Sequence, residues 1–409
     1  MPQFVHRSYR VFFIIVAAVL PLGVSVYLFA GGDKSTPADS DSSPVSTISE
    51  LQPAPPPPAD NPFIKAATSD PRSPITGVAI VAHHIADVQL YLSAIDQIHD
   101  MGANAISVFT PMFVDHVDSN EIRYVPSKCA TDEQLIEILN RAHEHGMATA
   151  LIPTILIENP GPKDWRGVIK PTDWNAWWTS YHESIDRFLS IMKLGHVDLF
   201  AVGSELNSTE SQLDRWQEVI DQVRAEYHGA ITYSANWDRY FKIHIWPQMD
   251  VMGVSSYFEL CRDDPNAPMD DLVKDWRGEQ EKMVAFAREQ NKPMIITEVG
   301  YPTLPTATAH PWNYITNSSS VSDPNAQARG WQAFLGAWQE VFRNNASPAF
   351  GFFAYAWDPY YKGEPNDLGY GFRGKPSYKI LSDAFKSLGK TPVDQRATST
   401  SNGPLKASG

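Results

Sequence analysis

The sequence predicts a (β/α)8 barrel, and three observations carry that prediction. Short apolar runs alternate with amphipathic helical stretches in eight β-then-α units between residues 77 and 388. Runs of this kind suit strands buried on both faces of a parallel sheet, with helices outside and side chains filling the middle. Two of the runs end in a glutamate: Leu199-Phe200-Ala201-Val202-Gly203-Ser204-Glu205 and Met294-Ile295-Ile296-Thr297-Glu298. A carboxylate at the end of a buried strand is costly unless its charge has a use. In a barrel of parallel strands, that end is where active sites are built.

The units follow in order. Residues 77–82 form the first strand, and 86–101 its helix, with Val88, Leu92, Ile95 and Ile98 on one stripe. Residues 105–109 form the second strand. Thr131-Asp132-Glu133-Gln134 has the form of a capping box and opens the next helix, which Gly146 closes. Residues 148–152 precede a helix over 174–194, and 199–203 precede one that opens near Thr209 and carries Leu213, Trp216, Ile220 and Val223. The fifth and sixth strands are 231–234 and 251–255, followed by a helix over 271–290. Residues 294–297 form the seventh strand. Asp323-Pro324 starts the next helix with proline at its first position. Residues 350–355 form the eighth strand and 377–388 the last helix.

The flanks differ in composition. His6, Arg7 and Arg10 precede an uncharged apolar stretch over 11–30, long enough to span a bilayer. Positive charge on its N-terminal side places residues 1–10 in the cytoplasm and the body outside it. The reading preferred is an uncleaved signal anchor, hence a membrane-anchored, extracytoplasmic (periplasmic or extracellular) body. A cleaved signal peptide and a secreted protein is the alternative. Residues 31–72 are rich in Ser, Asp, Ala and Pro, including Pro53 and Pro55 to Pro58, and read as an extended spacer. The body then runs over 73–389, and 390–409 reads as a disordered tail.

A net charge of −14 excludes nucleic acid as a natural partner. Cys129 and Cys261 have no metal-ligand spacing; they are either one bridge or two unrelated thiols. His143 and His145 stand at i and i+2 on a helix and point different ways, so neither they nor any other cluster forms a metal site. No cofactor is expected. Twelve tryptophans are a rich supply, and surplus tryptophan often marks sugar-stacking surfaces.

Glutamates ending strands four and seven resemble the clan of retaining β-glycosidases built on (β/α)8 barrels. Val202-Gly203-Ser204-Glu205-Leu206, Tyr233-Ser234-Ala235-Asn236-Trp237-Asp238 and Ile296-Thr297-Glu298-Val299-Gly300-Tyr301 are most similar to glycoside hydrolase family 113, whose characterised members are β-1,4-mannanases. The resemblance covers roughly residues 74–389. It implies that Glu298 is the nucleophile and Glu205 the acid/base, with the pKa of Glu205 raised in part by the charge of Glu298. Tyr257, ending the sixth strand, is placed to donate a hydrogen bond to Glu298. Many clan members have Asn immediately before the acid/base, where this chain has Ser204. That Asn contacts the sugar 2-hydroxyl, so here the contact is weaker or comes from elsewhere.

Further substrate-binding candidates are Trp357 as a floor for the sugar at the cleavage point, Asn236 and Trp237 at the end of strand five, His84 at the end of strand one, and Trp165 as a platform on the third loop. Four of these have a packing alternative: core for Trp357, loop packing for Asn236 and Trp237, a satisfied structural histidine for His84. The helix residues Trp174, Trp177 and Trp178 are expected in the core. The reading is then a monomeric retaining glycoside hydrolase acting on β-linked polysaccharide or oligosaccharide, most simply of the β-1,4-mannan type. The competing class is a barrel without turnover that binds or scaffolds cell-envelope polysaccharide.

Overall fold

The computed structural model describes residues 56–361, 363–364 and 366–389. The expected anchor over 11–30, most of the spacer and the tail over 390–409 lie outside the described residues. No helix among the described residues is long and apolar enough to cross a membrane.

Eight parallel strands close into a barrel in sequence order. They are β1 (Ile75–Val81), β2 (Ala105–Val114), β3 (Ala148–Ile157), β4 (Leu199–Ser204), β5 (Ala230–Asn236), β6 (Met252–Ser255), β7 (Met294–Val299) and β8 (Ala349–Trp357). A short helix, α1 (Pro62–Thr68), precedes β1, and α2 (Val88–Asp100), α3 (Asp132–Glu144) and α4 (Trp174–Leu194) follow the first three strands. The remaining helices are α5 (Leu213–Glu226), α6 (Met269–Glu289), α7 (Pro324–Arg343) and α8 (Pro376–Leu388). The fifth unit departs from expectation. Between β5 and β6 the chain makes two single 3-10 turns, Tyr240–Lys242 and Trp246–Gln248, in place of an α-helix. Strands β2 and β3 run longer than expected because they stay paired beyond the barrel, out to Val114 and Ile157.

The caps explain several boundaries. Thr131 and Gln134 exchange the two hydrogen bonds of a capping box at α3. Asp173 caps α4, and Asp323 caps α7 with Pro324 at the first position. The outer apolar layer, between strands and helices, holds Trp177, Trp178, Trp216, Trp276, Trp331 and Trp338, all fully buried. The helix residues Trp177 and Trp178 are therefore core, as expected, while Trp174 packs against that core half-buried.

Inside the barrel the side chains stack in layers. The lowest holds Ile75, Ala105, Ala148, Ala150, Leu199, Ala230, Ile295 and Phe353, and Phe63 of α1 packs into it. The Phe63 ring meets Phe353 with centroids 6.2 Å apart. Small residues dominate that layer, which leaves room for the phenyl ring. Asn61 caps α1 and donates to the carbonyl oxygen of Asp198 at 2.8 Å, fixing the helix under the barrel. Arg72 is buried and donates to the carbonyls of Asn344 and Ala349 at 3.0 and 2.9 Å. The last part of the expected spacer is thus part of the folded body. A spacer cannot bury a phenylalanine, and the proline-rich composition had masked the Asn61-Pro62 helix start.

Candidate active site

Three strand tips bear on the site, and each carries a register shift. On β4 the pairing with β5 runs Ala201 with Thr232, then Ser204 with Ser234: three residues advance against two. On β7 the pairing with β6 runs Val254 with Ile296, then Ser255 with Glu298. On β8, Val78 pairs with Ala354 but Ile80 with Trp357. An extra residue on one strand reverses the in-and-out alternation beyond it, and such bulges gather at barrel rims beside active sites. The β7 bulge turns Glu298 inward beside Thr297, whose hydroxyl already bonds that of Ser234 at 2.7 Å inside the barrel.

Glu205 follows the β4 bulge with φ +54°, the left-handed region that a non-glycine residue enters at a cost of roughly 1–2 kcal/mol. Its surroundings hold it there. The Glu205 amide donates to the Ser234 carbonyl at 2.9 Å, and the Leu206 amide donates to the Tyr233 hydroxyl at 2.8 Å. Tyr233 in turn donates to Glu210, which pairs with Arg239 at 3.1 Å.

The two carboxylates have different partners. Glu205 Oε2 accepts from Arg166 Nη2 at 2.6 Å, and Oε1 faces the Ser255 hydroxyl in a short contact. Glu298 Oε2 accepts from the Tyr257 hydroxyl at 2.9 Å, as expected, while its buried Oε1 has no hydrogen-bond partner among the described residues. Burial first, then the negative charge of Glu205, raises the Glu298 pKa to about 8, against the opposing pull of Arg166 and Tyr257. The donors are shared unequally: the guanidinium bonds Glu205, and Glu298 receives one phenol. Burial likewise raises Tyr257, Tyr355 and Tyr370, which surround Glu298 with ring centroids 5.5–6.4 Å apart.

The other candidates separate. Trp357 is 1% exposed and lies in the outer layer against Phe372 and Tyr378, at 5.8 and 6.4 Å. The core alternative therefore holds, and the floor is corrected: the β8 bulge sends Trp357 outward, and Tyr355 is the ring that enters the mouth, against Phe109 at 5.6 Å. Asn236 is half-buried with its Oδ1 unpartnered among the described residues, one residue beyond Ala235, whose carbonyl accepts from Ser255. Trp237 packs edge-on against Phe258 at 5.4 Å. Trp165 is half-buried with its indole over Gly167, and His84 is exposed beyond the end of β1. Ser204 is buried with its hydroxyl unpartnered among the described residues. Cys129 and Cys261 are both free thiols. Among the described residues no group of His, Cys, Asp and Glu could hold a metal ion.

Sequence reasoning missed Arg166, Ser255, Tyr355 and Tyr370. Ser255 was within reach, since it stands two residues before Tyr257 on the same inward alternation. Arg166 follows Trp165 on a loop, where no periodicity points it inward.

The model of Glycoside Hydrolase Family 113 matches residues 90–375. The chain belongs to this family. It is a glycoside hydrolase. Its fold is similar to that of the GH113 β-mannanase AaManA from Alicyclobacillus acidocaldarius, with TM-score 0.67, 22% identity, and coverage of 77% of this chain and 98% of that one. A second GH113 β-1,4-mannanase gives TM-score 0.66 at 21% identity, covering 77% and 99%. A glycoside hydrolase family 5 mannosidase from Rhizomucor miehei gives 0.52 at 13%, covering 78% and 93%. A search of curated protein sequences matches none to this chain.

Proposed function

We propose that this glycoside hydrolase cleaves β-1,4-mannan-type polysaccharide with retention, using Glu298 as nucleophile and Glu205 as acid/base. The observation that carries the reading is the pair itself: two buried glutamates from the tips of β4 and β7, close enough for the charge of one to raise the pKa of the other. Glu298 attacks the anomeric carbon, and Tyr257 keeps one of its oxygens oriented. Glu205 gives its proton to the glycosidic oxygen as that bond breaks. Glu298 is then an ester without charge, and Glu205 takes a proton from the water that releases the sugar. The mannan preference is supported by the mannanases to which the fold is similar. The apolar stretch over 11–30 supports a membrane-tethered, extracytoplasmic placement.

The test is hydrolysis of a panel of β-mannan, glucomannan, xylan and mixed-linkage glucan, with the first-formed anomer followed by proton NMR. The reading expects mannan or glucomannan to be cut fastest and the new reducing end to appear first as the β-anomer. An α-anomer formed first would remove the double displacement. Preference for xylan would remove the substrate and leave the mechanism.

A further inference from the structure

The cation of this site does not come from a barrel strand. Arg166 sits on a single 3-10 turn, Arg166–Val168, in the connection from β3 to α4, and its side chain is 22% exposed. Its Nη2 reaches Glu205 Oε2 at 2.6 Å, while its Nε is buried without a partner among the described residues. The other Glu205 oxygen meets the Ser255 hydroxyl, which also faces the Ala235 carbonyl at 3.1 Å. A hydroxyl has one hydrogen and can still accept. When Ser255 donates to Ala235, its oxygen can take a hydrogen bond from a protonated Glu205. When it donates to Glu205, the carboxylate is ionised. Ser255 thus fits either state of Glu205, whereas a guanidinium, which has donors alone, favours the ionised one.

Glu298 has the opposite surroundings, with one phenol donor and a buried oxygen that has no partner among the described residues. Two carboxylates beside one guanidinium, away from water, hold one proton between them, and that proton belongs to the pair. The donors in the resting site favour it on Glu298. The first chemical step needs it on Glu205.

We propose that Arg166 is the positioning residue that decides which glutamate holds the shared proton: bonded to Glu205 it keeps the proton on Glu298, and its withdrawal from Glu205 Oε2 when the glycan enters lets the proton pass to Glu205. This rests on the two-glutamate reading above. The transfer breaks one O–H bond on Glu298 and forms one on Glu205, so charge is conserved and no co-reactant is needed. The other titratable groups facing the pair are Tyr257, two residues beyond β6, Tyr355 on β8 and Tyr370 in the connection to α8; Tyr314, in the connection to α7, faces Tyr355 and Tyr370. Burial holds the first three above the ordinary phenol range, so they stay neutral where the pair titrates.

The test is the pH dependence of kcat/KM for wild type, Arg166→Met, Arg166→Gln and Arg166→Lys. Removing the positive charge makes each proton harder to remove from the pair, so both limbs of the profile should move alkaline by about one pH unit or more in Arg166→Met and Arg166→Gln. Arg166→Lys keeps the charge and should restore wild-type limbs with a lower kcat. Two neutral variants guard against a failure of one to fold. Limbs that stay in place while kcat/KM falls would overturn the proposal and leave Arg166 a structural strut. Glu205→Gln and Glu298→Gln serve as controls: if either turns over at the wild-type rate, the two-glutamate reading has failed, and if both are inactive with the limbs unmoved, only the role of Arg166 has failed.

Discussion

At the lower end of the barrel the inward side chains are Ile75, Ala105, Ala148, Leu199, Ala230 and Ile295, with Phe63 packed into them. At the upper end they are Glu205, Ser255, Tyr257, Glu298 and Tyr355, and Glu298 Oε1 has no partner among the described residues. The strands are the same at both ends. In the lower layer every inward group loses water and gains van der Waals contacts, which stabilises the fold. The upper layer buries two carboxylates, puts one of them on a left-handed backbone and leaves an oxygen unsatisfied, each of which costs stability. One end holds the barrel closed, and the other spends part of that stability on reactivity.

The largest expected effects separate the two ends. Glu205→Ala and Glu298→Ala should lower kcat by about 10³-fold or more with the fold retained. Phe63→Ala should do the reverse, lowering stability by about 3–5 kcal/mol in denaturant titration, with kcat of the folded fraction near wild type. A chain beginning at Ser73 should melt lower still, because it also loses Arg72 and the Asn61 contact to Asp198, the residue before β4. Equal stability of that shortened chain and the longer one would make the lower layer irrelevant to closure.

A smaller effect tests the cost at the mouth. The folded state holds the Glu298 proton up to about pH 8, whereas an unfolded carboxyl gives it up near 4.5. The native state therefore binds more protons between those values, and stability contributed by this group falls as pH rises through the window. Glu298→Gln should raise Tm most above pH 8 and least near pH 4.5. A gain independent of pH would place the cost elsewhere. Tyr257→Phe removes a hydrogen bond to this carboxylate, worth about 1.5–3 kcal/mol, and should lower kcat roughly 10- to 100-fold.

Much of the lower layer and the barrel was legible in the sequence, because a strand buried on both faces leaves an apolar run whatever its neighbours do. The two glutamates were legible for the same reason: a charge that interrupts such a run at its C-terminal end stands out. What stayed hidden depended on register. Nothing in Ala354-Tyr355-Ala356-Trp357 announces the extra residue that sends Trp357 outward and leaves Tyr355 in the mouth. Arg166 was hidden because a loop residue has no alternation to read, and Phe63 because the prolines around it suggest an extended chain. The 3-10 turns between β5 and β6 were within reach, since residues 237–250 show no helical stripe. The smallest expected effect follows from the outward turn of Trp357. Trp357→Phe should cost stability through the outer layer and leave kcat and KM within about twofold of wild type, whereas Tyr355→Ala should lower kcat/KM.

The roles of the two glutamates are tested most directly by adding azide to the alanine variants. Azide entering the space left by Glu298→Ala meets the sugar from the nucleophile's side, and the account predicts an α-glycosyl azide. In Glu205→Ala the glycosyl-enzyme still forms on activated substrates, azide arrives from the opposite face, and the product should be the β-glycosyl azide. The reverse pairing of variant and anomer, identified by NMR of the isolated azides, would contradict the assignment of nucleophile to β7 and acid/base to β4.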